Sequence, residues 1–188
     1  MFSKTKIILS IVFFLNLTGF ISIYADKNCD VLAYASDTDP NGVNLRESAK
    51  GKVLTSIPDG SHISITAAKD GWFQIKSFEY MVETDAEKKM AKSKKHKLDA
   101  EESNVNVENY KAWIHGSRVS IHFSGWWPEV TMHTAPNEKS KVLFKFTNEQ
   151  YSKPTQIISC EGKWFQVKVN GKVGWVDKFC YSSRTNCS

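Results

Sequence analysis

Asn170-Gly171 stands between two apolar-rich runs, Trp164–Val169 and Lys172–Val176, and no other stretch restricts the fold so tightly. A two-residue type I′ turn needs positive φ at both central positions, which Asn and Gly adopt at least cost. The turn sets the register: Val169 faces Lys172, Val167 faces Gly174 and Phe165 faces Val176. Alternation then places Phe165, Val167 and Val176 on one face, the predicted core. Trp164, Gln166, Lys168, Val173 and Trp175 share the other. There Trp164 and Trp175 are diagonal neighbours. That second face is either a lid over apolar surface or a binding platform.

The same phrase occurs earlier, interrupted. Gly71-Trp72-Phe73-Gln74-Ile75-Lys76 echoes Lys163-Trp164-Phe165-Gln166-Val167-Lys168, and Ala112-Trp113-Ile114-His115 echoes Gly174-Trp175-Val176-Asp177. Upstream, Val43-Asn44-Leu45-Arg46 matches Val130-Thr131-Met132-His133, and Lys52-Val53-Leu54 matches Lys141-Val142-Leu143. The chain therefore carries one small β-module twice. Trp72 and Trp113 lie forty-one positions apart, Trp164 and Trp175 eleven, so the first hairpin holds thirty extra residues at its tip.

The ends of the chain bound its setting. Lys4 and Lys6 precede an apolar run from Ile7 to about Phe20, followed by Ala25, the pattern of a cleaved export leader over residues 1–25. No later segment is apolar enough to cross a membrane. Without the leader the net charge falls from +5 to +3, too mild for nucleic-acid binding. Cys29, Cys160, Cys180 and Cys187 all follow the leader, and an even count in an exported chain favours disulfides. Of the three connectivities, we expect Cys160 with Cys180, clamping the second module, and Cys29 with Cys187, tying the chain start to its end. Asp26-Lys27-Asn28 lacks the small, apolar residues of a lipidation signal.

Turn signals at Asp37–Gly42, Pro58-Asp59-Gly60 and Lys69-Asp70-Gly71 separate short alternating strands such as His62–Thr66. Strands at this spacing describe a small all-β barrel. The insertion, about residues 78–109, has six lysines between Lys88 and Lys97, then Asp99, Glu101 and Glu102. Its apolar residues are too few for a core-facing stripe, so a solvated, partly helical or disordered loop is expected. A basic finger touching anionic polymers or lipid head groups is the sharper alternative. Trp126 and Trp127, between the modules, either pack the two together or form an exposed contact patch.

These residues resemble the bacterial SH3 (SH3b) domain. The resemblance rests on Asn44-Leu45-Arg46, Gly71-Trp72-Phe73-Gln74-Ile75 and Trp113-Ile114 in the first module. In the second it rests on Gly162–Val167 and Gly171–Val176. It implies two small SH3-like β-barrels in tandem, at 26–123 and 129–188, joined by a linker at 124–128. The first barrel would carry the long charged insertion in its distal hairpin. It also implies a non-catalytic exported module, periplasmic or secreted, that recognises cell-wall peptidoglycan or its peptides. In that reading Trp72, Trp113, Trp164 and Trp175 stack on the ligand, while Asn44 and Arg46 hydrogen-bond its carboxylate. Arg46 has a second reading, anchoring its own loop on Asp37 or Asp39. His133 stands where the first module has Arg46, so the two modules are not expected to bind alike.

A different class of function is a periplasmic adaptor or inhibitor whose contact surface is the lysine-rich insertion and the linker tryptophans. Catalysis is disfavoured. His62, His96, His115, His122 and His133 lack metal or triad spacing, and no HExxH or paired-carboxylate stretch remains outside the modules. No cofactor or metal is implied.

Overall fold

The computed structural model describes residues 27–82, 85–93, 104–123, 127–147 and 156–181. The leader, Trp126 and Cys187 lie outside these residues. The described chain is mainly antiparallel β-structure in two sheets. Strands β1 (Lys27–Ala35), β2 (Val43–Arg46), β3 (Val53–Ile57), β4 (His62–Lys69) and β5 (Trp72–Met81) come first. Helix α1 (Asp85–Ser93), β6 (Asn104–Val107), β7 (Ala112–His115), a 3-10 turn at Gly116–Arg118 and β8 (Val119–Ser120) complete the first half. The second half contains β9 (Glu129–His133), β10 (Val142–Thr147), β11 (Gln156–Glu161), β12 (Trp164–Val169) and β13 (Lys172–Val176).

The first sheet runs β3-β2-β7-β5-β4-β1-β8, with β6 also on β5, and the second runs β10-β9-β13-β12-β11. All-β architecture is what the sequence predicts. Closed barrels are not what appears: among the described residues both ladders end in open edges, at β3 and β8 and at β10 and β11.

The hairpin register is as predicted, with Val169 opposite Lys172, Val167 opposite Gly174 and Phe165 opposite Val176. Asn170 has φ 48° and Gly171 φ 77°, the two positive values the turn demands. Phe165, Val167 and Val176 are fully buried. The internal repeat is also visible in the ladders. Arg46 pairs with Trp113, which pairs with Gln74. His133 likewise pairs with Trp175, which pairs with Gln166. Even the irregularities recur: the register skips Leu54 between β2 and β3, and Leu143 between β9 and β10. These bulges twist the two outer edge strands.

The insertion differs from a solvated loop. β5 continues to Met81 and β6 pairs back onto it, from Phe78 with Val107 to Met81 with Asn104. Phe78, Tyr80, Val82, Ala91 and Val105 are buried, so both arms and Ala91 of α1 carry core. The alternation Phe78, Tyr80, Val82 is strand-like and supplies the apolar face that a helical stripe does not.

The predicted cysteine pairing is corrected. Cys29 is bonded to Cys160, with Cα atoms 5.6 Å apart. Cys180 is also disulfide-bonded. The reason is β1, a nine-residue strand that begins at Lys27. Its body pairs with β4 and β8 in the first sheet, while its start reaches the second. Asp30 N donates to Gly162 O at 2.8 Å, and Gly162 N donates to Asn28 O at 2.9 Å. A second link joins His122 and Cys180, each backbone N–H donating to the other's carbonyl. Between these links Phe73 meets Phe165 edge-on, ring centroids 6.3 Å apart, so the two halves share one continuous core. Trp127 is partly buried against that core, in line with the packing role considered for the linker.

Candidate functional site

Three strands bring the first module's candidate residues together. β2, β7 and β5 lie side by side, so Arg46, Trp113 and Gln74 form one cross-strand row, and Asn44 is two residues along β2 on the same face. Trp113 and Arg46 are half-buried and Asn44 is exposed. Arg46 donates through Nη1 to Gly51 O at 2.7 Å. It thus anchors its own loop, but on a backbone carbonyl, while Asp37 pairs with Arg118 at 2.6 Å and Asp39 accepts from Asn41. That bond uses one of the five guanidinium N–H donors, and among the described residues the others remain for a ligand carboxylate. Asn44 is exposed and its Oδ1 accepts from Ser56 Oγ at 3.3 Å, so its amide NH₂ is left as a donor.

The second module repeats the row with other contents. His133 is buried, with Nδ1 3.2 Å from Ser140 O, the position that Gly51 O holds for Arg46. Its ring meets Trp164 edge-on at 5.4 Å. Trp175 is only 5 % exposed, and the Lys27 ammonium, held by Glu161 at 3.2 Å, lies 4.6 Å above its ring. Trp164, also 5 % exposed, has Lys163 at 5.8 Å from its ring. Hydrogen bonds to Asp177 and then Glu138 raise the pKa of that lysine above its usual value. Trp72 is 9 % exposed against His115, centroids 4.9 Å apart. Of the four candidate tryptophans, Trp113 therefore offers a ligand the most ring surface.

Where the two sheets meet, a cleft of 630 Å³ opens among Ser36, Asp70, His115, Ser117, Ser120 and Gln156. The sequence does not single it out, because its residues come from four separate segments. Gly116 sets its depth. A Cβ there would lie 2.9 Å from Gly71 O and 3.0 Å from Ile157 O, so only glycine lets β11 approach this closely. His115 Nδ1 accepts from Ser117 N at 3.3 Å and lies 2.8 Å from Ser117 Oγ. Through Nδ1 the ring caps the 3-10 turn. Among the described residues, no three His, Cys, Asp or Glu side chains converge as metal ligands would. No helix among them is long and apolar enough to cross a membrane.

Residues 128–179 match the family model of the bacterial SH3 domain. The match spans the second sheet from the end of the linker to the approach to Cys180, under half of the chain. No curated protein and no solved structure matches significantly.

Proposed function

We propose that the protein is a non-catalytic, exported binding protein that holds cell-wall peptidoglycan or its peptides on the outer face of its first module. In this reading residues 1–25 are removed on export. Residues 26–123 and 129–188 are two SH3-like modules, and the second has become a support for the first. The observation that carries the proposal is the unequal fate of the repeated row. His133 and Trp175 are buried, with Lys27 over the tryptophan, whereas Arg46, Trp113 and Asn44 remain accessible. Trp113 then supplies a ring face for a sugar or peptide plane, and Arg46 and Asn44 supply donors to a carboxylate.

The test is retention of the mature chain on purified sacculi. Trp113→Ala and Arg46→Ala each weaken retention about tenfold, the loss of one good contact of ~1.4 kcal/mol, while both variants remain folded at the assay temperature. A wild-type chain that washes off sacculi at low salt ends this reading. The adaptor reading draws on the exposed Lys88, Lys89 and Lys92 of α1. It gains ground if sacculi are ignored while a co-purifying envelope protein is lost on replacing those three lysines by glutamate.

A further inference from the structure

Trp113 stands among three cations, Arg46, Lys76 and Lys111. One step beyond the Ile75–Ala112 pair, Lys76 and Lys111 are neighbours across the β5–β7 ladder, where Tyr110 N donates to Lys76 O at 2.7 Å. Ile75 and Ala112 are fully buried and both lysines are exposed, so alternation sets the two ammonium groups on the Trp113 side of the sheet. Like charges side by side across a ladder cost stability. Among the described residues neither lysine makes an ion pair or a hydrogen bond through its side chain. Glu47, next to Arg46, is held by Lys52 at 3.1 Å. Glu108, the acid closest to Lys111 in sequence, pairs with none of the three. The second module does not keep this set. His133, Val173 and Lys168 stand where the first module has Arg46, Lys111 and Lys76. Two of the three cations are thus particular to the module whose row is accessible.

Resting on the reading of this row as a wall-binding site, we propose that the face selects an acidic peptide with two free carboxylates. One carboxylate sits on Arg46 and Asn44, the other between Lys76 and Lys111, and Trp113 covers the chain that joins them. Strands ~4.8 Å apart, rising ~3.4 Å per residue, put Lys111 about 8 Å and Lys76 about 12 Å from Arg46 at the backbone. That is the span of about two to four extended residues, so a single short peptide reaches both ends. The lining favours carboxylates over a phosphodiester chain. Trp113 offers a flat ring to a peptide plane, and the Arg46 fork with the Asn44 amide suits a planar anion. A neutral glycan alone would leave the three cations unanswered.

The experiment measures retention of the full mature chain on purified sacculi whose carboxylates are either free or amidated with carbodiimide and ammonium. Expected is at least tenfold weaker retention on the amidated sacculi. On untreated sacculi Lys76→Gln and Lys111→Gln each weaken retention about threefold, and the double variant about tenfold. On amidated sacculi the same substitutions change nothing further, because the contact they remove is already lost. Lys139→Gln takes the same charge from an exposed, unpartnered lysine of the second module and is retained as wild type. Equal retention on the two kinds of sacculi, wild-type retention by the double variant, or an equal loss in Lys139→Gln overturns the two-carboxylate site and leaves the wall reading standing. Retention lost on stripping phosphate polymers with hydrofluoric acid, without a response to amidation, assigns the face to phosphodiesters and also overturns it. A wild-type chain that washes off untreated sacculi at low salt removes both readings.

Discussion

A tryptophan beside a cross-strand partner reads the same in sequence whether it seals a core or greets a ligand. Neighbours distant in sequence decide between them. Trp164 has His133 against its ring and Trp175 has Lys27 above it, and each is only 5 % exposed. Trp164→Ala should therefore lower the unfolding free energy by about 3–5 kcal/mol, the usual cost of emptying a buried aromatic site. Trp113→Ala, starting from a half-exposed ring, should cost about half of that or less. Urea titrations of the two variants compare them directly, and equal losses would mean that Trp113 too is structural. Tyr80 makes a pH prediction. Burial, reinforced by repulsion from Glu87, raises its pKa from 10.0 to about 12. The unfolded phenol ionises first, so stability from Tyr80 is full below pH 10 and is lost as pH rises toward 12. Tyr80→Phe should flatten that alkaline fall in the urea midpoint.

Among the elements, the hairpin β12–β13 was legible because everything that defines it is local. Two turn residues with the right φ preference and period-two alternation on either side leave one register. The arms of the insertion were not legible, because β6 meets β5 across more than twenty intervening residues whose composition reads as solvated helix. Its short Asn104–Val107 segment shows its role only once Phe78 and Tyr80 are seen to need cover. Val105 is fully buried there, so Val105→Ala should destabilise by about 2 kcal/mol from lost methyl burial and the space left behind. Charge changes at the exposed Lys88 or Lys89 should stay within about 0.5 kcal/mol. Thermal unfolding of the three variants separates an arm that carries core from a loop that merely rides on the sheet.

For the whole molecule, β1 is the element that makes two repeats one body. It lies in the first sheet, bonds through Asn28 and Asp30 to Gly162, and carries the disulfide to Cys160 across 131 positions of sequence. Closing so long a loop restricts the unfolded chain strongly. Replacing Cys29 and Cys160 together by alanine should lower stability by about 2–5 kcal/mol, against a chain-entropy expectation near the upper figure. The measurement is a urea titration of the double variant beside wild type, both without reductant so that the bond at Cys180 stays intact. A change under about 1 kcal/mol would show that the sheets hold each other without the covalent link.

By itself the sequence determined the all-β character, the repeated strand phrases, the hairpin register around Asn170-Gly171 and the identity of its inner face. These follow from turn chemistry and alternation, which act between residues a few positions apart. Tertiary structure decided the rest: which cysteines meet, which of the four tryptophans stays accessible, that the insertion contributes core, and that two sheet edges share a cleft. The cysteine pairing and the cleft depend on where β1 and β11 come to rest, more than a hundred residues apart, and the insertion's core depends on β6 pairing with β5; no local pattern encodes either contact.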